Sequence, residues 1–332
     1  MEHKSQQADI TRRTVLGGLV GMTATGLSMG KTDPSGIPNA IIVPGSPGGN
    51  LDSLGRKLAE LLGKTSNSPL IVENISGASG TIAVDQLLKR PRDGATLLLG
   101  NSGLICSAPL LLKTQQRFDP QIDLAAICTV AKWPFLLFTR KDHPANNLKE
   151  LQQLYQGNSD NLGITYAANE VGSANHIAGS VIIQRLGLRG VHIPYRNIGQ
   201  GVIDVIEGRV TLGIFGFQNI SAFLEYDKAK VICALSDTPL NLAPQAKTVK
   251  DQGFGNFDIL GWVALFVAGG TPQSIIQEQG RMMDSIFNQG DIYAFFNKMG
   301  YTSAFRNHEN SNTFVNGEID RYRGLLQQYG II

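Results

Sequence analysis

From about residue 36 onward, short apolar runs alternate with amphipathic stretches. Several runs are apolar at every position, which is typical of strands that are covered on both faces. The stretches between them have the apolar period of a helix; one leucine stripe covers residues 51–62, and we expect Gly63 to end that helix. Strands that alternate with helices predict an α/β fold. The predicted strands are Ala40–Val43, 70–72, 96–99, 125–130, 135–139, 164–166, 191–193, 210–215, 231–235 and 262–267.

The last segment of the chain, residues 273–328, has mostly helical periodicity. An earlier helix is expected to begin after Ser173, because serine is a favourable N-cap residue. A chain of 332 residues is too long for one compact core, so this succession of elements suits two lobes of ordinary domain size.

Residues 11–30 have the pattern of an export address. The pair Arg12-Arg13 precedes a weakly apolar, glycine-rich stretch, as it does in twin-arginine signals. That stretch is too short and too rich in glycine for a transmembrane anchor. We therefore predict that residues 1–30 are an export signal and that the mature protein is soluble and periplasmic. The alternative is an N-terminal helix that belongs to the fold.

The composition fits a folded protein that does not bind nucleic acid. Apolar residues make up 42% of the chain and charged residues 17%, which is enough apolar material for a core. The formal net charge is only +2, and no run of Lys and Arg supplies the basic surface that nucleic acid requires. We expect a monomer with no nucleic-acid partner.

The cysteines and histidines do not form a metal or redox motif. Cys106, Cys128 and Cys233 each lie in an apolar stretch, and no pair has C-x-x-C spacing. We predict three buried thiols; one disulfide with a leftover thiol is the alternative in an oxidising compartment. No two of the five histidines are spaced as metal ligands. The P-loop and dinucleotide-binding glycine motifs do not occur either, so no cofactor is predicted.

No catalytic constellation is visible in the sequence. Residues 26–30 spell G-x-S-x-G, but they lie within the predicted signal, where neither a strand precedes the serine nor a helix follows it. Asp119 and Asp123 are four residues apart, but Pro120 between them favours a solvated turn. We predict no catalytic residue; an exported, hydrolase-like α/β enzyme is the alternative.

Three glycine-bearing turns each lead from a predicted strand into a helix: residues 44–52, 74–81 and 167–176. The first residues of a helix have free N–H groups and a partial positive charge, and glycine lets a ligand approach them closely. Such turns bind carboxylate or phosphate without a charged side chain. Because they are common in α/β proteins, their spacing alone does not assign a ligand site.

Six blocks of sequence, found in order between about residue 40 and residue 272, include these turns. The most specific of them combine VEN-x-x-GA-x-G with DG-x-TLL. The blocks are IIVPGSPGGNLD, LIVENISGASGTIAVDQLLKRPRDGATLLLGNSG, FDPQIDLAAICTVA, ITYAANEVGSANHIAGSVIIQRLGL, VHIPYRNIGQGVIDVIEGRVTLGIFG and GWVALFVAGGTP. In order and spacing they resemble the tripartite tricarboxylate transporter receptors, also called Bug-type periplasmic solute-binding proteins.

The resemblance implies a type II periplasmic-binding-protein fold, in which two α/β lobes are joined by two crossover strands and hold a ligand in a central cleft. It places lobe 1 at residues 36–132 plus 256–332 and lobe 2 at residues 133–255. It also implies capture of a small carboxylate-bearing metabolite, an organic acid or an amino acid, for a membrane transporter or a sensor. A binding protein for a non-acidic solute is the alternative.

In that family, the counterparts of the 44–52 and 167–176 turns act as pincers from opposite lobes, and their backbone N–H groups hold a ligand carboxylate. The resemblance therefore implies ligand-binding roles for residues of both turns and for further residues that line the cleft. These are Ser46, Pro47, Gly48, Gly49, Asn50 and Asp52 on one side, Glu170, Val171, Gly172, Ser173 and His176 on the other, and Asn101, Ser102 and Phe217 as cleft lining.

The sequence departs from the family pattern near the cleft and hinge. Arg196-Asn197 and Val263-Ala264 replace Lys-Gly and Tyr-Gly pairs, and Glu170 replaces the first glycine of a Gly-Val-Gly. Two orientations of Glu170 are open. If it points to solvent, the acid site stays intact. If it points inward, repulsion between like charges favours a ligand that carries an ammonium or hydroxyls beside its carboxylate, such as an amino acid.

Overall fold

A computed structural model describes residues 36–112, 118–156 and 163–332. The predicted export signal at residues 1–30 lies outside the described residues. The strands in chain order are β1 (Ala40–Val43), β2 (Ile71–Asn74), β3 (Thr96–Asn101), β4 (Leu124–Trp133), β5 (Phe135–Arg140), β6 (Ile164–Ala168), β7 (Gly190–Pro194), β8 (Leu212–Phe215), β9 (Ala229–Leu235), β10 (Gly261–Ala268) and β11 (Thr302–Arg306).

Helices lie between most of these strands. Two short turns add to them, a 3-10 turn at Ala78–Gly80 and a π-helical turn at Gly103–Ser107. The helices are α1 (Asn50–Ser66), α2 (Thr81–Leu88), α3 (Ala108–Leu111), α4 (Leu148–Tyr155), α5 (Ala174–Arg185), α6 (Ile198–Ile206), α7 (Phe217–Glu225), α8 (Gln273–Gln289), α9 (Asp291–Met299) and α10 (His308–Gln328).

The first sheet has the strand order β11-β4-β10-β3-β1-β2. β1 pairs in parallel with both β2 and β3, whereas β10 is antiparallel to β3 and β4. The second sheet has the order β7-β6-β8-β5-β9. In it β6 is parallel to β7 and β8, and β5 is antiparallel to β8 and β9. Each sheet therefore has a parallel part, whose strands end at one edge.

The chain crosses between the sheets twice. β4 ends at Trp133 and β5 begins at Phe135, so only Pro134 separates the two sheets at the first crossing. The return runs from Leu235, the end of β9, to Gly261, the start of β10. β10 lies between β4 and β3 in the first sheet, so both crossings reach adjacent strands of that sheet.

The cores are built from the continuous apolar runs. Every residue of β1 and of β10 is buried, as the unbroken hydrophobicity of these strands predicts. All ten predicted strands are present, with bounds shifted by a few residues at most. The prediction of an α/β architecture is confirmed.

The segment at residues 273–328 is mostly helical, as predicted, but one strand within it was missed, and the prediction that Gly63 ends α1 was wrong. β11 lies in the segment predicted to be mostly helical, where it pairs with β4 and forms an edge of the first sheet; a five-residue strand between two long helices is too short to change the periodicity of that region. Gly63 does not end α1, which continues to Ser66 and is capped by Asn67 in the left-handed conformation (φ 52°). A Cβ at position 63 would lie 3.2 Å from the carbonyl oxygen of Ser68, so close packing accounts for this glycine.

The three cysteines are buried free thiols, as predicted, so the disulfide alternative is not realised. Burial raises the pKa of each thiol, which makes it a poor nucleophile. Within the described part of the chain, no helix is both long and apolar enough to cross a membrane.

Candidate functional site

The candidate site lies where the carboxyl ends of the parallel strands meet. In the first sheet, β1 leads into the 44–52 turn and β2 into the 74–81 turn, and β3 leads into the π-helical turn. Since these three strands are parallel neighbours, all three segments lie at one edge, the carboxyl edge of the first sheet. In the second sheet, β6 leads into the 167–176 turn and β8 into α7, which together form its carboxyl edge. Ligands of open α/β sheets bind at such edges.

Hydrogen bonds join the two carboxyl edges directly. Asn50 Nδ2, at the start of α1, donates to Asn219 Oδ1 in α7 at 3.2 Å. Ser107 Oγ, in the π-helical turn, donates to the carbonyl oxygen of Gly172. Gly103 packs so closely against the start of α5 that a Cβ there would lie 3.0 Å from Ser173 Cα. The two edges therefore face each other, and we call the space between them the cleft.

The 44–52 turn is the more open side of the cleft. Ser46, Pro47 and Gly48 are exposed, and Gly49 and Asn50 are half-buried. Gly48 has a φ of 78°, and a Cβ there would meet nothing within 4 Å. Gly49 is the N-cap of α1, and the first bond of the helix runs from Ser53 N to Gly49 O. The N–H groups before Ser53 therefore have no partner within the helix, and Gly49 has no side chain that could cap them. This turn can therefore offer backbone N–H donors to an anion.

Asp52 lies beneath that turn. Its side chain is only 4% exposed, and its Oδ2 accepts hydrogen bonds from Gly48 N at 2.8 Å and Arg56 Nε at 3.0 Å. Burial alone would raise the pKa of Asp52, but hydrogen bonds from Arg56, the Gly48 N–H and Asn74 together lower it. Asp52 therefore stays ionised and accepts a hydrogen bond from the backbone of the turn. Because it is buried, it positions the turn rather than contacting a ligand.

The 167–176 turn uses several of its own N–H groups. Gly172 N donates to His176 Nδ1 at 3.3 Å, and Ser173 N donates to the carbonyl oxygen of Glu170. The Ser173 hydroxyl is the N-cap of α5 and accepts from His176 N. Three amides that could have faced a ligand are thus satisfied within the turn, so its start is more self-contained than that of α1.

His176 faces into the second sheet. Its ring lies 4.2 Å from that of His192, centroid to centroid, and His192 in turn lies 5.2 Å from Tyr166. Burial, and next the charge of His192, lower the pKa of His176 to about 3. His176 is therefore neutral at neutral pH and brings no positive charge to the cleft; its Nδ1 orients the 167–176 turn.

Glu170 points inward, the second of the two predicted orientations, but its carboxylate is bonded to protein atoms. Its Oε2 accepts from Ser79 N at 3.2 Å across the cleft, and its Oε1 accepts from Arg196 Nε at 3.1 Å. The next residue, Val171, accepts from Ser79 Oγ at 3.0 Å through its carbonyl oxygen. Glu170 thus binds the opposite edge of the cleft itself.

The three residues predicted to line the cleft are built into its walls. Asn101 Oδ1 accepts from Leu104 N at 3.0 Å and shapes the π-helical turn. Ser102 is only 2% exposed, and its Oγ accepts from Trp262 N. Phe217 is half-buried at the start of α7 and lies against Gly300. A Cβ added at position 300 would be 3.3 Å from Phe217 Cβ.

Sequence reasoning missed Ser79, Ser107 and Asn219, which bridge the cleft. The serines lie 91 and 65 residues from their partners, and Asn219 lies 169 residues from its own. No local pattern marks such a pair. The only available signal was the 74–81 turn itself, which was identified but not assigned to the site.

Within residues 36–112, 118–156 and 163–332, no three His, Cys, Asp or Glu side chains are grouped so that they could hold a metal ion. The donors that meet at the cleft are instead backbone N–H groups, amides and hydroxyls. Such a set is suited to holding a small polar ligand.

The sequence profile of the tripartite tricarboxylate transporter family receptor matches residues 54–331. The chain belongs to this receptor family. As a receptor of this kind it is a solute-binding protein and not an enzyme, and the resemblance read from the sequence is confirmed. Among curated relatives, BugT of Bordetella pertussis is 28% identical over 297 residues, which cover 88% of this chain and 89% of BugT.

Solved structures share the two-lobed periplasmic-binding-protein fold. A structure of an R. palustris protein with adipate has a TM-score of 0.81 and 22% identity, and covers 88% of this chain and 97% of that one. MatC from Rhodopseudomonas palustris with bound malate has a TM-score of 0.76 and 23% identity, and covers 87% and 98%. At these identities the likeness establishes the fold of the receptor and leaves its ligand to be inferred from the site.

Proposed function

We propose that this receptor captures a small carboxylate-bearing metabolite in the cleft, as an exported protein that serves uptake or sensing. The observation that carries the proposal is the start of α1. There an exposed turn leads into a glycine N-cap, no side chain caps the first N–H groups of the helix, and Asn50 contacts Asn219 of the opposite edge. A helix start of this kind favours an anion. The relatives that hold adipate and malate support the same class of ligand.

Within this proposal the residues divide into two groups. Ser46, Pro47, Gly48, Gly49 and Asn50 contact the ligand from one side, and Val171 contacts it from the other. The remaining predicted residues hold these in place, since each polar one has at least one polar atom bonded within the protein. They are Asp52, Asn101, Ser102, Glu170, Gly172, Ser173 and His176, with Phe217 packed at the start of α7.

We further propose that the lobes are residues 36–132 plus 256–332 and residues 133–255, and that they close on the ligand. The chain crosses between the sheets at Pro134 and again between Leu235 and Gly261. Two crossings of this kind let two lobes hinge around a bound molecule. The receptor works as a monomer and passes its ligand to a membrane transporter or a sensor.

Isothermal titration calorimetry tests the ligand class. The protein is titrated with adipate, malate, a tricarboxylate, an amino acid and a neutral sugar, and then with the carboxamide analogue of the acid that binds best. Binding of an acid, with at least a tenfold loss for its amide, is expected, because charge-assisted hydrogen bonds contribute about 1.5–3 kcal/mol each. Equal affinity for acid and amide, or binding of the sugar alone, would refute the proposal.

Export is tested separately, because residues 1–30 carry it. Replacement of both Arg12 and Arg13 by lysine should trap the precursor in the cytoplasm, since the twin-arginine pathway reads that pair. The folded body of the protein should be unaffected, as judged by its melting temperature. An unchanged periplasmic yield would show that another route exports the protein.

A further inference from the structure

We propose that Glu170 is a latch that joins the two lobes by placing its own carboxylate on the backbone of the 74–81 turn. Glu170 follows β6 of the second sheet, whereas the N–H that donates to its carboxylate, that of Ser79, belongs to the turn after β2 of the first sheet. The Oε2–N distance is 3.2 Å. The bond therefore spans the cleft and exists only when the two edges face each other.

The partner of this carboxylate has an unusual backbone. All four residues from Gly77 to Gly80 have positive φ, and two of them, Ala78 (φ 47°) and Ser79 (φ 53°), are not glycine. Residues with side chains rarely adopt this conformation without a compensating contact. Ser79 has two such contacts across the cleft, from its N–H to Glu170 Oε2 and from its Oγ to the carbonyl oxygen of Val171.

The latch is reinforced beside Glu170. Ser107 Oγ donates to the carbonyl oxygen of Gly172, and the same glycine lies so near Ala108 that a Cβ at position 172 would be 3.3 Å from Ala108 Cα. Residues 170–172 are thus held at three successive positions by the first sheet's carboxyl edge. Only the Glu170 contact depends on a side chain of this segment, so it can be removed without touching the backbone contacts.

Arg196 pairs with Glu170 but does not form the latch. Its guanidinium lies on the same lobe as Glu170, after β7, and the Arg196 side chain is 90% exposed. An ion pair so open to solvent contributes little to the stability of either state of the cleft. What matters for closure is the bond from Ser79 N, because it is the one that breaks when the edges separate.

The inference deepens the proposed function, and its first test does not depend on it. Cysteines introduced at the exposed positions Lys89 and Gln184, one on each lobe, can be spin-labelled selectively because the three native thiols are buried. Pulsed electron spin resonance on ligand-free protein then gives the separation of the labels. Glu170→Gly should lower the ratio of short to long separations about three- to tenfold, the effect of one hydrogen bond of moderate strength.

Arg196→Gln is the matched control, since it removes the ion pair and leaves the bond from Ser79 N. Its distribution of separations should equal that of the wild type, and Glu170→Gln, which keeps an acceptor oxygen, should lie between wild type and Glu170→Gly. An unchanged distribution in Glu170→Gly, an equal shift in Arg196→Gln, or a wild type without the short separation would each overturn the latch.

Ligand affinity gives the second readout and separates this inference from the proposed function. If the wild type binds an acid, Glu170→Gly should weaken binding by a similar factor for mono- and dicarboxylates, because the latch acts through closure. A gain in affinity confined to dicarboxylates would show charge repulsion instead and would overturn the latch. If the wild type binds no acid, the proposed function fails. The label separations in ligand-free protein then still show whether Glu170 holds the two edges together.

Discussion

At the scale of single residues, Gly48 combines two properties at the mouth of the cleft. Its φ of 78° disfavours any side chain, and a Cβ there would point into open space. Gly48→Val should therefore weaken ligand binding at least tenfold, because it fills the approach to the N–H groups of α1, and should cost roughly 1–3 kcal/mol of stability through backbone strain. Calorimetry and chemical denaturation measure the two effects.

Gly255 offers a control for that strain. It also has a φ of 78° and open space around its Cβ position, but it lies in the return segment between β9 and β10 and outside the three turns at the carboxyl edges. Gly255→Val should cost a similar amount of stability and leave affinity unchanged. If both variants lost affinity equally, strain rather than occupation of the cleft would be the cause.

Asp52 links the stability of the cleft to pH. Its pKa is lower in the folded protein than the ordinary value of 3.8. The stabilisation it provides is thus fully present above its pKa in the unfolded chain and is lost as the pH falls through the lower, folded value. Asp52→Asn should cost about 1–2 kcal/mol at pH 7, and the difference from wild type should shrink below pH 4. A difference that stays constant from pH 7 to pH 3 would contradict this role.

The residue roles show where sequence reasoning stops. The residues of the 44–52 turn were identified through their strand–turn–helix context, which is local. The role of Ser102 as a bonded part of the wall was not predicted, because it depends on Trp262, a residue distant in sequence. A motif can thus indicate which residues lie near a ligand, but only the tertiary contacts separate those that touch it from those that support it.

At the scale of elements, α10 secures the return crossing. Glu318 accepts from Trp262 Nε1 of β10 at 2.9 Å and from Arg321 Nε at 2.7 Å, and Arg321 also reaches Asp258, just before β10. The Glu318 side chain is only 12% exposed. The last helix of the chain is therefore tied to the hinge by a partly buried network of charges.

Loss of Glu318 should destabilise the protein more than loss of a comparable surface acid. Glu318→Ala removes the acceptor of both Arg321 and Trp262. It should lower the free energy of unfolding by roughly 1–3 kcal/mol, less than the loss of one partner from a fully buried ion pair. Asp320→Ala removes an exposed ion pair with Arg323 on the same helix and should cost under about 0.5 kcal/mol. Equal free energies of unfolding for the two variants would show that the network does not stabilise the hinge.

The elements themselves were predictable because burial on both faces leaves unbroken apolar runs in the sequence. β1 and β10 are examples. β11 was missed because its five residues lie between helices α9 and α10 and pair only with β4. Its strand conformation comes from this tertiary pairing, which local propensity does not contain.

At the scale of the whole molecule, the two-sheet plan brings the carboxyl ends of β1 to β3 opposite those of β6 and β8. The contacts from Asn50 to Asn219 and from Ser79 to Glu170 join the two edges at separate points. In the proposed function, both edges hold a single ligand at once. A protein that bound its ligand on one lobe alone would not need this arrangement.

Hydrogen–deuterium exchange with and without a bound acid tests that claim most directly. Saturating ligand should slow exchange in two peptides together, one covering residues 46–53 and one covering residues 170–177, while the distant helix α4 keeps its rate. Such paired protection is expected because closure buries both turns against the ligand and each other. Protection of only one of these peptides, or of neither in a protein that demonstrably binds the acid, would show that the two edges do not hold the ligand together.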